Sequence, residues 1–506
     1  MEYLPPILFS LLILSLTFSY LSLSYKRTSF EIVNDMGIGY NLGNSFDCYD
    51  TSYDVKTPDD QITLCGNPIP TKEMIKNIKT NGFKTIRFPI TWFNFMDESG
   101  IINQEWMSRV KEIVNWIINS KMYCIINVHH DGKSGNWLSK GIESKDKFDK
   151  LWSQISEEFK EYNEFLIFEA MNKAEFKSEN NYDYKTLYNL TQSFIDIVRS
   201  SGGKNLDRLL IIPGANADFE LSISEEFIIP NDPSNKFALS IHYYNPIKFT
   251  KEPVNFTDPR SKSKWGDSLD YDEIMMNFYI MKMTFPDEGI PVILSEIGVI
   301  TEDQKEDKSI KEYIYAVFAL AWEFDAIMPC LWDTSNKDKG DMNYFNREKK
   351  IWYDEQIPKF LKQISRGKFV SMWDFFIETH YENVSMNYDG LLVVDIKDII
   401  LTKIIFNVNF HGNIFDNFVR IYSYDKNGNE FDISYNKKNT KKQYDGSITY
   451  KIDVSDKECT NILYMQRSEN ANNITFNYFT FEFEDSVDYF DYISYSNSIL
   501  EAINNS

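Results

Sequence analysis

Eight short apolar runs recur between residues 36 and 333: GIGYNLGN, KTIRFPI, MYCIINVHH, FLIFEAMN, RLLIIPG, FALSIHYY, IPVILSEIG and IMPCLWD. Each is succeeded by a stretch that reads as helix or loop. In Glu105–Asn119, for example, Trp106, Val110, Ile113, Val114 and Ile117 repeat at helical spacing. Continuous apolar strands alternating with helices demand a parallel sheet covered on both faces, and eight such units over this length predict a closed (β/α)8 TIM barrel. An open doubly wound sheet is the alternative. The barrel is favoured because nearly every run ends in polar or aromatic groups: Asn41 and Asn44, Arg87, His129 and His130, Asn172, His242 and Tyr244, Glu296, and Trp332. At the C-terminal strand ends of a barrel these scattered residues converge on one cleft.

Composition narrows the ligand of such a cleft. The 506-residue chain carries 53 basic and 75 acidic residues, a formal charge of −22, and so repels nucleic acid. Its 16% aromatic content fits an uncharged polar ligand that stacks on rings, although a large core uses aromatics too.

Residues 1–25 read as a signal peptide or signal anchor, because Leu4–Leu23 is almost wholly apolar and Ser22 and Ser24 offer a cleavage site. The expected location is secreted; membrane association is expected only if that segment stays uncleaved. Cys48 and Cys65 share one early loop and can pair in an oxidising compartment, whereas Cys124 and Cys330 lie in apolar runs as buried thiols. The barrel is expected over residues 26–366. Beyond it period-2 alternation takes over, with Ile448, Tyr450, Ile452 and Val454 on one face, and Asn427-Gly428 signals a hairpin. Residues 367–486 are therefore expected to form an antiparallel β-sandwich, its aromatics serving a core or a carbohydrate surface, and residues 487–506 a polar tail.

The blocks GYNLGNS, GNPIPTKEMI, GFKTIRFPITW, MYCIINVHH, FEAMN, SIHYYNP and PVILSEIG, in that order over about residues 36–352, resemble glycoside hydrolase family 5, the retaining cellulases and related β-glycanases. The resemblance implies Glu296 as nucleophile and Arg87 as its orienting partner. It implies Asn172 on the sugar 2-hydroxyl, His129, His130, His242 and Tyr244 around the reactive subsite, and Trp332 as stacking floor. It implies no cofactor, a β-glucan polysaccharide or oligosaccharide as partner, and a monomer. The residues agree with it: an oxocarbenium-like centre needs a carboxylate beneath it, donors around the ring hydroxyls and an aromatic platform. Trp137 and Trp265 lie in loops expected on the same face. A metal is not expected at His129-His130, which lack a third ligand at suitable spacing.

One position departs from the family. Where the fourth strand should end in Asn-Glu-Pro, whose Glu is the general acid/base, this chain has Asn172, Lys173 and Ala174. A lysine near a carboxylate keeps its proton at neutral pH, so it is a poor acid and leaves no base for the second step. Glu169, four residues earlier on the same face, and Glu175 on the following loop are the nearby carboxylates. A salt bridge from Lys173 to Glu296 is the expectation that assigns the lysine no catalytic role. Phe95 and Cys65 also differ from the family, which reads as divergence of the whole cleft. Two functions stay open: a weak or altered retaining endoglucanase of the β-1,4-glucan type, and an inactive carbohydrate-binding pseudoenzyme.

Overall fold

The eight runs fold as β1 (Gly39–Leu42), β2 (Thr85–Phe88), β3 (Tyr123–Asn127), β4 (Leu166–Glu169), β5 (Leu210–Pro213), β6 (Phe237–Tyr243), β7 (Val292–Ile297) and β8 (Ile327–Asp333) in a computed structural model of the chain. They form one closed parallel barrel in sequence order, sealed where β1 pairs with β8 from Gly39↔Cys330 to Leu42↔Asp333. The structure describes residues 26–369, except 50, 52–54, 177–181, 256, 259, 260, 267, 302, 303 and 336–340, together with nine strands between residues 384 and 483. Leu4–Leu23 and the 487–506 tail fall outside the described residues. Among those described, no helix is long and apolar enough to cross a membrane.

The strands are buried, except for the half-buried His242 and Trp332 at the rim, because both barrel faces are covered. Outside, the helix Gln104–Asn119 starts where the Asn103 side chain accepts the Glu105 and Trp106 amides, and it buries Trp106, Val110, Ile113, Val114 and Ile117. Each of these large side chains contributes roughly 1.5–3 kcal/mol through burial. Inside, Ile125, Ile167, Ile211, Ile293 and Met328 fill the lower barrel, and the helix Ser29–Met36 closes that end with Ile32, Val33 and Met36. Gly39 is required there: a Cβ would lie 2.3 Å from Cys330 Sγ. With the N-terminal end plugged, ligand access is left to the C-terminal rim. The β5–β6 connection holds only the 3-10 turn Ala215–Ala217 and the short helix Phe219–Ser222, and Pro230 and Pro233 disfavour helix in the rest of it.

The chain divides into two compact units, Met1–Gly367 and Lys368–Ser506. In the second, antiparallel strands form one five-stranded and one four-stranded sheet. Val419–Asp425 and Glu430–Asp432 pair across the Asn427-Gly428 segment, and Ile448–Asp453 is a strand, as its alternation predicts.

Candidate active site

Arg87, at the end of β2, organises the rim. All five of its N–H donors are used. Nε and one terminal nitrogen grip Glu169 at 2.7 and 3.0 Å, and that nitrogen also donates to Asn172 Oδ1 at 2.7 Å. The other terminal nitrogen donates to Asn41 Oδ1 at 3.0 Å and to Glu296 Oε1 at 3.2 Å. Burial opposes the guanidinium charge, but Glu169 first and Glu296 next hold it protonated. The fork geometry of arginine suits this arrangement, because it fixes two carboxylates and two side-chain amides at once.

Glu296 is aimed into the opening by β7. The register of that strand shifts against β6 between Ile241 and His242, and against β8 between Leu294 and Ile297. Such irregularities re-aim side chains at barrel rims. Besides Arg87, Glu296 accepts the Tyr244 hydroxyl at 3.1 Å and lies 3.2 Å from His242 Nδ1. Burial, then the charge of Glu296, pushes the Tyr244 phenol well above its usual range, so it stays a donor. Burial and the charges of Arg87, Lys251 and Lys173 push His242 well below its usual range. Neutral His242 donates from Nδ1 and leaves Nε2 as an acceptor with no hydrogen-bond partner among the described residues.

His129 is kept neutral by burial first and then by neighbouring positive charge. Its two ring nitrogens lie 3.2 Å from Asn127 Nδ2 and 3.3 Å from Asn172 Nδ2, so an imidazolium would set N–H against N–H on both edges. Its ring lies parallel to Trp332, at 4° and 5.7 Å between centroids. Gly43 gives the indole room, since a Cβ there would lie 2.9 Å from two of its ring carbons.

An open cavity is lined by His129, His130, Asn172, Lys173, His242, Tyr244, Glu296 and Trp332. Arg87 lies beneath it, fully buried. Thus the strand-end residues singled out in the sequence meet at one rim. Asp47 joins His129 and His130 as a group of metal-ligand type, contrary to the expectation that no third ligand stands near. Hydrogen bonds already account for all three: Asp47 accepts the Asn44 and Ser45 amides, His130 Nδ1 sits 2.8 Å from the Asp47 carbonyl, and His129 lies between two amides.

Glu169 points inward, as its place on the strand suggests, and is no spare acid: besides Arg87, Asn127 and Ser240 donate to it at 3.1 and 3.0 Å, and it is fully buried. Other expectations are corrected. Lys173 is exposed and makes no ion pair with Glu296, whose oxygens are held by Arg87, Tyr244 and His242. Phe95 stacks on Trp106 at 4.7 Å, and Cys65 is bonded to Cys48; neither lines the cavity, so these two departures do not reshape it. Trp265 is buried against Tyr271 and Tyr313, and the half-buried Trp137 donates to Asp131; neither lines the cavity. Sequence reasoning missed Lys251 and Lys133, which also line the cavity. The only sequence signal for Lys251 is its place shortly after SIHYYNP.

Comparison with known proteins gives the family of the chain. The family model for cellulase (glycosyl hydrolase family 5) matches residues 47–338. The chain belongs to glycoside hydrolase family 5. Within that family it is similar to a GH5-4 broad specificity endoglucanase from an uncultured bovine rumen ciliate, at 52% identity and a TM-score of 0.65, over 68% of this chain and 99% of that one. It is also similar to a glycoside hydrolase 5 lichenase from Caldicellulosiruptor sp. F32, solved as a mutant in complex with cellotetraose, at 29% identity and a TM-score of 0.62, over 68% and 96% of the two chains. Endoglucanase A of Clostridium longisporum is 34% identical over 350 residues, 65% of this chain and 65% of its own length. This family 5 chain thus spans just under two thirds of that curated relative.

Proposed function

We propose that the barrel binds a β-1,4-glucan chain across Trp332 and acts as a slow retaining endoglucanase. In this reading Glu296 is the nucleophile and Lys173 occupies the acid/base position without filling the role. The observation that carries it is the triple hold on Glu296 by Arg87, Tyr244 and His242 on the cavity side of the barrel. Three donors fix the orientation of the carboxylate, as a nucleophile aimed at a sugar's anomeric carbon requires. Asn172 supplies a group for the 2-hydroxyl, and the solved lichenase with cellotetraose supports a glucan ligand. Export is inferred from Leu4–Leu23 alone, and the two C-terminal sheets are read as a sandwich from their alternation.

A pure binding role is the second reading, favoured by Lys173 and by the engagement of Glu169 with Arg87. Dinitrophenyl cellobioside separates the two, because its leaving group needs no proton. Release of dinitrophenol by the wild type, abolished in Glu296→Gln, supports the enzyme. Absence of release together with cellotetraose binding that weakens in Trp332→Ala supports the binding protein. Flat titrations with β-glucans would remove both.

A further inference from the structure

Two lysines share the cavity with Glu296. Lys173 lies just after β4, and Lys251 comes directly after the short helix Ile247–Thr250 beyond β6; both line the cavity. The Lys251 ammonium sits 3.8 Å from the centroid of the Tyr244 ring, whose hydroxyl donates to Glu296. Among the described residues, no carboxylate lies within ion-pair distance of either ammonium. By contrast, the buried or half-buried Lys236, Lys262 and Lys305 each reach a carboxylate or carbonyl oxygen.

The two charges also feel one another. Crowding by protein and the charge of Lys173 lower the pKa of Lys251, against the pull of Glu296. Like charges sharing one cavity repel, and a ligand carboxylate that pairs with both relieves that repulsion. A neutral glucan offers only hydroxyls. A carboxylate offers charge-assisted hydrogen bonds to both ammonium groups. The same cavity contains the acidic Glu175 and Asp341, so any positive field is local to the parts lined by Lys173 and Lys251. In a chain of charge −22, an acidic polymer would otherwise be repelled, which makes such a local field necessary.

We propose that the cleft accepts a β-linked glycan carrying a uronic acid, with the sugar carboxylate seated between the ammonium groups of Lys173 and Lys251. The proposal rests on the glycan-cleft reading and goes beyond it in naming an acidic substrate class.

The test is calorimetric titration of the full chain with cellotetraose and with the same oligosaccharide oxidised to the carboxylate at C6. The acidic ligand is expected to bind about tenfold more tightly at low salt. That ratio should shrink in about 0.5 M sodium chloride, fall toward unity in Lys251→Met and persist in Lys251→Arg. Equal or weaker binding of the acidic ligand, with cellotetraose bound, overturns the proposal and leaves the glycan cleft standing. A ratio that survives Lys251→Met also overturns it. Failure of both ligands to bind overturns the glycan reading itself.

Discussion

Replacing Lys173 by glutamate should raise the rate on carboxymethylcellulose by about 10² to 10⁴-fold, the usual worth of general acid/base catalysis. A natural glucoside leaves as a poor alkoxide, so cleavage needs a proton delivered to the glycosidic oxygen as Glu296 attacks the anomeric carbon. In the second step a base must take a proton from water. A carboxyl group does both; an ammonium beside Glu296 does neither well. The gain should fall short of the upper figure because Lys251, on the same cavity, favours the ionised form of the new carboxyl and weakens it as an acid. Activity on dinitrophenyl cellobioside should change far less in its first step. Assays of both substrates on wild type and Lys173→Glu check this; an unchanged or lower rate on the polysaccharide would show that Lys173 is not what limits it.

The second large effect is on stability. Arg87→Met removes the cation that grips Glu169 and leaves two buried carboxylates without it, a loss expected at about 3–5 kcal/mol. Arg87→Lys should recover little, because one ammonium cannot reproduce the fork shared by Glu169, Asn41, Asn172 and Glu296. Adding Glu169→Gln to Arg87→Met should restore part of the loss, since it removes one of the stranded charges. Urea unfolding of the four proteins measures this, and a loss under about 1 kcal/mol in Arg87→Met would mean the network contributes little.

The order of strands and the residues at their ends are legible because a parallel barrel writes itself as apolar runs with polar tips. Glu296, Arg87, His129, His242 and Trp332 each close such a run, so sequence position alone brings them to one rim. What a side chain does once there is not legible. Glu169 alternates inward as expected, but its engagement with Arg87, Asn127 and Ser240 depends on three other strands. Trp265 reads as a loop aromatic, yet Tyr271 and Tyr313, from two later helices, bury it. Phe95 reads as a changed cleft residue and is instead packed on Trp106. Lys251 belongs to no run and carries no pattern; only tertiary structure brings it into the cavity that Lys173 also lines.

The early time course of dinitrophenol release from dinitrophenyl cellobioside by the wild type probes the role of Glu296 with least interference. With Glu296 attacking and no base to activate water, one equivalent should appear in a burst, succeeded by slow turnover. Mass spectrometry should find the cellobiosyl group on Glu296, and azide should accelerate turnover by attacking the anomeric carbon without needing a base. Linear release with no burst and no response to azide would contradict this, because a working acid/base, such as Glu175, would then be present despite Lys173.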